Sequence, residues 1–472
     1  MKKNIAYSIS SIELILGHIF LTLAACVFIF YWLSLSTEVI ISAFGCFIFG
    51  AILASYRSVV SIFSISTICL LALFFYSMAI PLHHLVYSDY DSEGVSFVTI
   101  NCVAALLGLV SSYYFVGKPN FFAKQLYKDE LVFGFVTVSL GVIALLIAIS
   151  VSVGFSAYLS AGYAGRALIK REVGPIELGL YYSIVGFLFL AYSWLYDPVR
   201  KRRMLGFFLI LFLLFFVIGV SYLGIRRPSF FLILSSLSMY FLKVRGRVSK
   251  KLILFSLACV FLFGIFASFR QVLSDQGVMA AFSYISGHFN LTWLDLSKSE
   301  LGAPFRAMLQ VKDHWFIDGF QLGKSYMEAF INIIPSSILK FSASLSEQYT
   351  KEFFSADYIA IGGNMGFFPV AEGYLNFGTI GVFAEFFLVG SVIKYIENKA
   401  IVNPRPINVI WYAIVIPWFF FFLRTDFSSF LKSFVYSILP VFFAYALCYP
   451  SFSQRQKSYF SFTIPKRATN SE

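Results

Sequence analysis

Residues Gly362–Gly381 read GGNMGFFPVAEGYLNFGTIG, and they carry the longest polar segment of the chain straight into an apolar run. Three glycines, Gly362, Gly363 and Gly366, allow backbone to approach backbone or a ligand closely. Pro369 suits a first helical turn, where its missing N–H costs nothing. Glu372, Tyr374 and Asn376 follow as polar groups at the point where a span enters a membrane. Two readings stand open for such a stretch. One is a flexible loop before a membrane helix. The other is an anion seat, built from free N–H groups and the positive end of a helix dipole.

Working outward, the chain has 472 residues, of which 59% are hydrophobic, 19% aromatic and 13% charged. Its mean hydropathy is +0.80. A soluble domain carries about 25% charged residues, so this composition specifies an all-α, polytopic membrane protein. The whole of 1–472 is read as a single transmembrane domain. The net charge of +12 fits basic cytoplasmic loops, and no nucleic-acid partner is inferred. The six cysteines all fall in apolar runs without metal spacing and read as small core residues. Basic residues precede the first apolar run without a clear cleavage site, so that run is taken as a retained helix.

Twelve spans are expected, at 11–33, 38–55, 59–82, 95–116, 131–153, 178–197, 204–223, 229–243, 252–270, 377–393, 408–423 and 433–449. Each is near the length that crosses about 30 Å of hydrocarbon. Seven basic segments, from Lys2–Lys3 to Arg455–Arg467, fall on one side of that plan, which makes it the cytoplasmic side. Both termini are then cytoplasmic. The opposite, periplasmic side holds the long loop 271–376 between spans nine and ten, with candidate helices around Gln321–Phe330 and Pro335–Lys340. Such segments are expected along the interface or over the bundle.

Arginine on that outer side runs against the trend. Arg166 lies in SAGYAGRALIKREVG, Arg226 and Arg227 in the short hairpin YLGIRRPSFF, Arg270 at the end of span nine, and Arg424 in LRTDFSSFL. Each either snorkels to headgroups or binds phosphate oxygens through its guanidinium fork. Spans eight, ten and twelve also present their N-termini outward, which would add helix dipoles to an anion site. Glu372 adjoins that site and is the first candidate base; its alternative role is as a structural partner of an outer arginine. His314, in QVKDHWF, is the second candidate. Asp426 is expected to cap the last helix or to orient Arg424. Glu385 falls inside span ten, where a charge requires a partner. Asp89-Tyr90-Asp91 forms a short D-x-D pattern too weak to assign a metal, and no P-loop, G-x-S-x-G or H-E-x-x-H is present.

GNMGFFPVAEGYLNFGTIG at 363–381, LGKSYMEAFINIIPSSIL at 322–339, and the arginines of GIRRPSF and LRTDF resemble the Wzy-type O-antigen (oligosaccharide repeat-unit) polymerases. The plan of many spans with one long loop before the last three is similar as well. The resemblance implies an inner-membrane glycosyltransferase acting at the periplasmic face without nucleotide, metal or cofactor. Donor and acceptor would both be undecaprenyl-diphosphate-linked oligosaccharides within the lipid bilayer, joined with inversion, and a chain-length regulator is a possible partner. On this reading Arg166, Arg226, Arg227, Arg270 and Arg424 face the diphosphate. Tyr374, Asn376 and Asp426 support the glycan, and Glu372 with His314 serves proton transfer. An O-antigen ligase and a lipid-linked oligosaccharide flippase are the competing expectations.

Overall fold

The computed structural model describes residues 64–87, 90–116, 130–152, 176–196, 203–222, 226–244, 302–316, 319–334, 343–356 and 366–448, with Gly154, Ser156 and Ile338 besides. Among them every regular element is a helix. Six come first: α1 (Ile65–Tyr87), α2 (Ser92–Phe115), α3 (Leu131–Ser152), α4 (Ile176–Tyr196), α5 (Arg203–Tyr222) and α6 (Arg226–Val244). Three short ones follow, α7 (Ala303–Trp315), α8 (Lys324–Ile331) and α9 (Leu345–Phe353). The last four are α10 (Pro369–Val402), α11 (Pro406–Phe422), α12 (Phe427–Ser437) and α13 (Leu439–Cys448).

Among the described residues, seven helical stretches are long and apolar enough to cross a membrane: α1 to α5, α10, and α12 with α13 taken together. The span-length α6 is not among them, and its three basic residues and four serines reduce its apolar character. The apolar α11 is shorter, at 17 residues. Expected spans 11–33, 38–55 and 252–270 lie outside the described residues, as does the candidate helix at Pro335–Lys340 apart from Ile338. Two expectations need correction. The final span, drawn as one helix over 433–449, begins at Phe427 and is interrupted at Ile438 (φ −115°, ψ −47°), just before Pro440. Cys448, read from its apolar run as a core residue, is exposed, whereas Cys69 and Cys102 are buried.

Lipid offers helices no hydrophobic reason to associate, so backbone proximity matters more than in water. The α3–α4 pair shows how this is met. A Cβ on Gly141 would lie 2.7 Å from Gly179 O, and one on Gly179 would lie 2.7 Å from Gly141 O. About two turns further along α4, a Cβ on Gly186 would meet Val138 N at 2.6 Å. The α2–α10 pair closes likewise: a Cβ on Gly108 would lie 2.3 Å from Phe383 O. Outside these contacts the buried core is mostly aliphatic and aromatic, as in the Trp411–Phe442 stack at 4.1 Å between α11 and α13.

The three short helices are not a detached loop. Phe305, Ala307, Met308 and Val311 of α7 are fully buried, and α7 packs on α1, α2 and α10. Asp91 caps α2 through Gly94 N (2.7 Å) and Glu93 N (3.3 Å), and it faces Lys312 of α7 at 3.6 Å. The Gly94 N–H, then the Glu93 N–H and the Lys312 charge, hold its carboxyl below the usual range. Asp91 thus has a structural occupation, and no cluster of three or more potential metal ligands occurs among the described residues.

Replacing Gly186 by Ala drives a methyl into the α3 backbone, and overpacking of this kind costs about 1–3 kcal/mol. The thermal midpoint of the detergent-purified protein should fall for Gly186→Ala. It should not fall for Gly219→Ala in α5, where a Cβ meets nothing within 4 Å and Ala is the better helix former.

Candidate functional site

The decisive local event is a break inside α10. Phe377 (φ −142°, ψ 20°) and Gly378 (φ 65°, ψ −160°) leave helical geometry. On a straight helix, residues 373 and 381 would lie about 12 Å apart. Here a Cβ on Gly381 would sit 2.5 Å from Gly373 O, and one on Gly373 would sit 3.0 Å from Val382 Cα. The chain therefore doubles back, giving a short arm at 369–376 and a long arm at 379–402. Gly378 is needed because its positive φ disfavours a side chain, and because Phe320 fills the space a Cβ would take, at 3.0 Å.

The break strands carbonyls at the end of the short arm. Gln321 N donates to Leu375 O (2.9 Å) and Leu322 N to Asn376 O (3.1 Å). The turn that aims these N–H groups has Leu322 and Gly323 at positive φ, 50° and 88°, and α8 begins directly after it. Its first side chains then reach both arms of α10. Ser325 Oγ donates to Glu372 Oε1 at 2.7 Å, and Tyr326 OH donates to Glu385 Oε2 at 2.9 Å.

Glu372 is fully buried, and both its oxygens accept hydrogen bonds. Oε2 takes the Phe427 N–H at 2.6 Å, at the start of α12. Asn376 Nδ2 supports the arrangement by donating to Ser325 Oγ (2.8 Å) and to Glu372 O (2.9 Å); its own Oδ1 is buried without a partner. Asp426, also fully buried, caps α12 by accepting from Ser429 N at 3.2 Å. Ser346 Oγ of α9 donates to the other Asp426 oxygen. The expected helix cap at Asp426 is therefore present. The expected open N-terminus of that helix is not: two protein carboxylates already occupy the positive end of α12. Gly366, expected to admit a close approach, abuts protein backbone, since a Cβ there would lie 2.1 Å from Arg424 O.

Glu385 differs from Glu372. Tyr326 holds its Oε2, and the bare face of Gly373 lies against that oxygen, 2.7 Å from where a Cβ would be. Its Oε1 is buried and accepts no hydrogen bond. Sequence reasoning saw that Glu385 needs a partner, but not which one. Ser325 and Tyr326 were missed as site residues, because they stand 47 and 59 positions from the carboxylates they hold.

Of the arginines, Arg227 turns inward. Its guanidinium carbon lies 3.3 Å from the Phe421 ring centroid and 5.5–5.7 Å from those of Tyr181, Phe231 and Trp418. Aromatic faces attract a guanidinium, yet Nε and Nη2 are buried with no acceptor, and so is Trp418 Nε1. Among the described residues, this box between α4, α6 and α11 thus offers donors and lacks an acceptor. Arg424 is partly buried in the turn before α12, its N–H donating to Phe421 O at 3.0 Å. Arg166, Arg270 and the Arg226 side chain lie outside the described residues. Tyr374 is half-buried in an aromatic cluster with Phe97 (4.9 Å), Phe316 (4.8 Å) and Phe320 (6.0 Å). His314 is exposed, its ring edge-on to Phe353 at 5.5 Å; no described contact joins it to Glu372.

A methyl at Gly381 collides with Gly373 O and must open the two arms of α10. Gly381→Ala should lower the yield and thermal midpoint of the purified protein, while Ile380→Ala, at an exposed neighbour, should not. Ser325→Ala leaves a buried carboxylate oxygen unpaired, which costs about 1–3 kcal/mol, and should lower the midpoint without abolishing folding.

No protein-family model matches this chain, and no curated protein or solved structure matches it.

Proposed function

We propose that this chain is a membrane glycosyltransferase that lengthens a glycan carried on undecaprenyl diphosphate, taking lipid-linked repeat units as both donor and acceptor at the periplasmic face. The observation that carries the reading is Arg227, a cation boxed by aromatic rings whose inner donors lack an acceptor. A diphosphate supplies anionic acceptor oxygens at the spacing a guanidinium fork recognises, and a polyprenyl chain brings that group to the bundle within the membrane plane. Neutralising the diphosphate makes it a good leaving group, so Arg227 would contribute electrostatically to bond breaking. Arg424, Arg166, Arg226 and Arg270 are assigned to the same anion as further parts of this proposal. The docked helices α7 to α9 favour an enzyme over a plain channel, because they add polar groups at one end of the bundle. Tyr374 and its ring cluster offer stacking faces for sugars.

A repeat-unit flippase is the second reading. The buried pair Lys394–Glu397 in the long arm of α10, at 3.4 Å, is the kind of intramembrane charge that transport uses. Deleting the gene separates the two. The polymerase reading expects lipid A–core bearing a single repeat unit, whereas loss of that single-unit band would point to a flippase or a ligase.

Arg227→Ala should weaken binding of the extracted lipid-linked unit by about 2–5 kcal/mol. Arg227→Lys keeps the charge but not the fork and should restore little. Normal polymer from either variant at normal protein level would remove Arg227 from the site. Reporter fusions after Lys250 and after Asp357 should report opposite sides of the membrane, with Asp357 periplasmic.

A further inference from the structure

We propose that Glu385 is the general base of the transfer, that Tyr326 is its positioning residue, and that Glu372 holds the scaffold around them; this rests on the glycan-polymerising reading above. The two carboxylates belong to the two arms of α10, and one short helix, α8, touches both. Their hydrogen bonding divides the labour. Glu372 accepts from Ser325 Oγ and from Phe427 N, one bond to each oxygen, and no part of it is exposed. It ties α8, α10 and α12 together and presents no unengaged oxygen to a substrate.

Glu385 has one oxygen fixed and one vacant of partners. Tyr326 OH pins Oε2 at 2.9 Å, and Gly373 closes against the same oxygen, which together set the plane of the carboxylate. Oε1 is buried and takes no hydrogen bond. Buried carboxylate oxygens are nearly always paired, so an orphan fixed by a neighbour suits a partner that arrives with the substrate. Position agrees, because Glu385 lies about 10 Å along the helix from the break at Gly378, at the end of the bundle where α8 docks.

In the step itself, the acceptor's sugar hydroxyl oxygen forms a bond to the anomeric carbon of the donor. The bond from that carbon to the diphosphate oxygen breaks, and its electron pair leaves with the lipid diphosphate. The hydroxyl proton passes to Glu385 Oε1. Tyr326 stays protonated and keeps the carboxylate oriented throughout.

The test uses the full-length protein in nanodiscs, with undecaprenyl-diphosphate-linked repeat unit extracted from cells lacking this gene. Glu385→Gln preserves shape and still accepts from Tyr326. It should lower elongation by about 10²–10⁴-fold while binding of the extracted unit changes by less than about threefold. In Glu385→Ala, added azide should be captured as a glycosyl azide, since azide attacks without losing a proton; a purely structural carboxylate would give no such product. Tyr326→Phe should reduce turnover by about tenfold with binding retained. Elongation by Glu385→Gln at the wild-type rate would overturn the assignment. So would loss of binding in step with turnover, or a folded, binding-competent Glu385→Ala that forms no glycosyl azide. Failure of the wild-type protein to elongate the extracted unit would instead overturn the polymerising reading, and the base with it.

Discussion

The carboxylate of Glu372 is where three parts of the molecule meet. It sits in the short arm of α10, accepts a hydroxyl from α8 and accepts the first N–H of α12. In a dry interior each of these bonds is stronger than in water, and each is expensive to leave unmade. The short helix α8, the broken helix α10 and the start of α12 are therefore tied together at one side chain. Asp426 repeats the device two elements away, joining α9 to the cap of α12. Both carboxyl groups accept from backbone N–H groups in the first turn of the same helix.

Glycine makes that meeting sterically possible. The arms of α10 touch at Gly373 and Gly381, and the Arg424 turn closes over Gly366. Side chains at these points would separate the carboxylates from the α8 groups that hold them. Elsewhere glycine brings α3 to α4 and α2 to α10 at backbone distance, where dispersion forces and packing replace the hydrophobic drive missing in lipid. The same residue type thus serves both helix association and site construction, and α10 uses it for both.

The bundle stabilises its inner cations in two ways. Lys394 lies beside Glu397, which also accepts from Ser66, whose carbonyl in turn accepts from Tyr113 OH at 3.0 Å. Arg227 is surrounded by rings instead. Ring faces soften the charge but accept no conventional hydrogen bond, so two guanidinium nitrogens keep their binding capacity. Lys394 thus has a carboxylate beside it at 3.4 Å, where Arg227 has rings.

The sequence by itself determined the class of protein. Scarce charge and long apolar runs leave helices as the spanning structure, because lipid supplies no partners for an open backbone. Local chemistry also located Pro369 at a helix start and Asp426 at a cap, since each depends on neighbours within a few residues. Only the tertiary structure decided what α10 is. Its apolar content reads as one helix, but doubling back at Gly378 depends on Phe320 and on the N–H groups of Gln321 and Leu322, more than fifty residues earlier. The different surroundings of Glu372 and Glu385 follow from that fold-back. Hydrogen bonds act over about 3 Å of space irrespective of sequence distance, so nothing in the spacing of these residues could reveal which carboxylate is enclosed and which keeps a free oxygen.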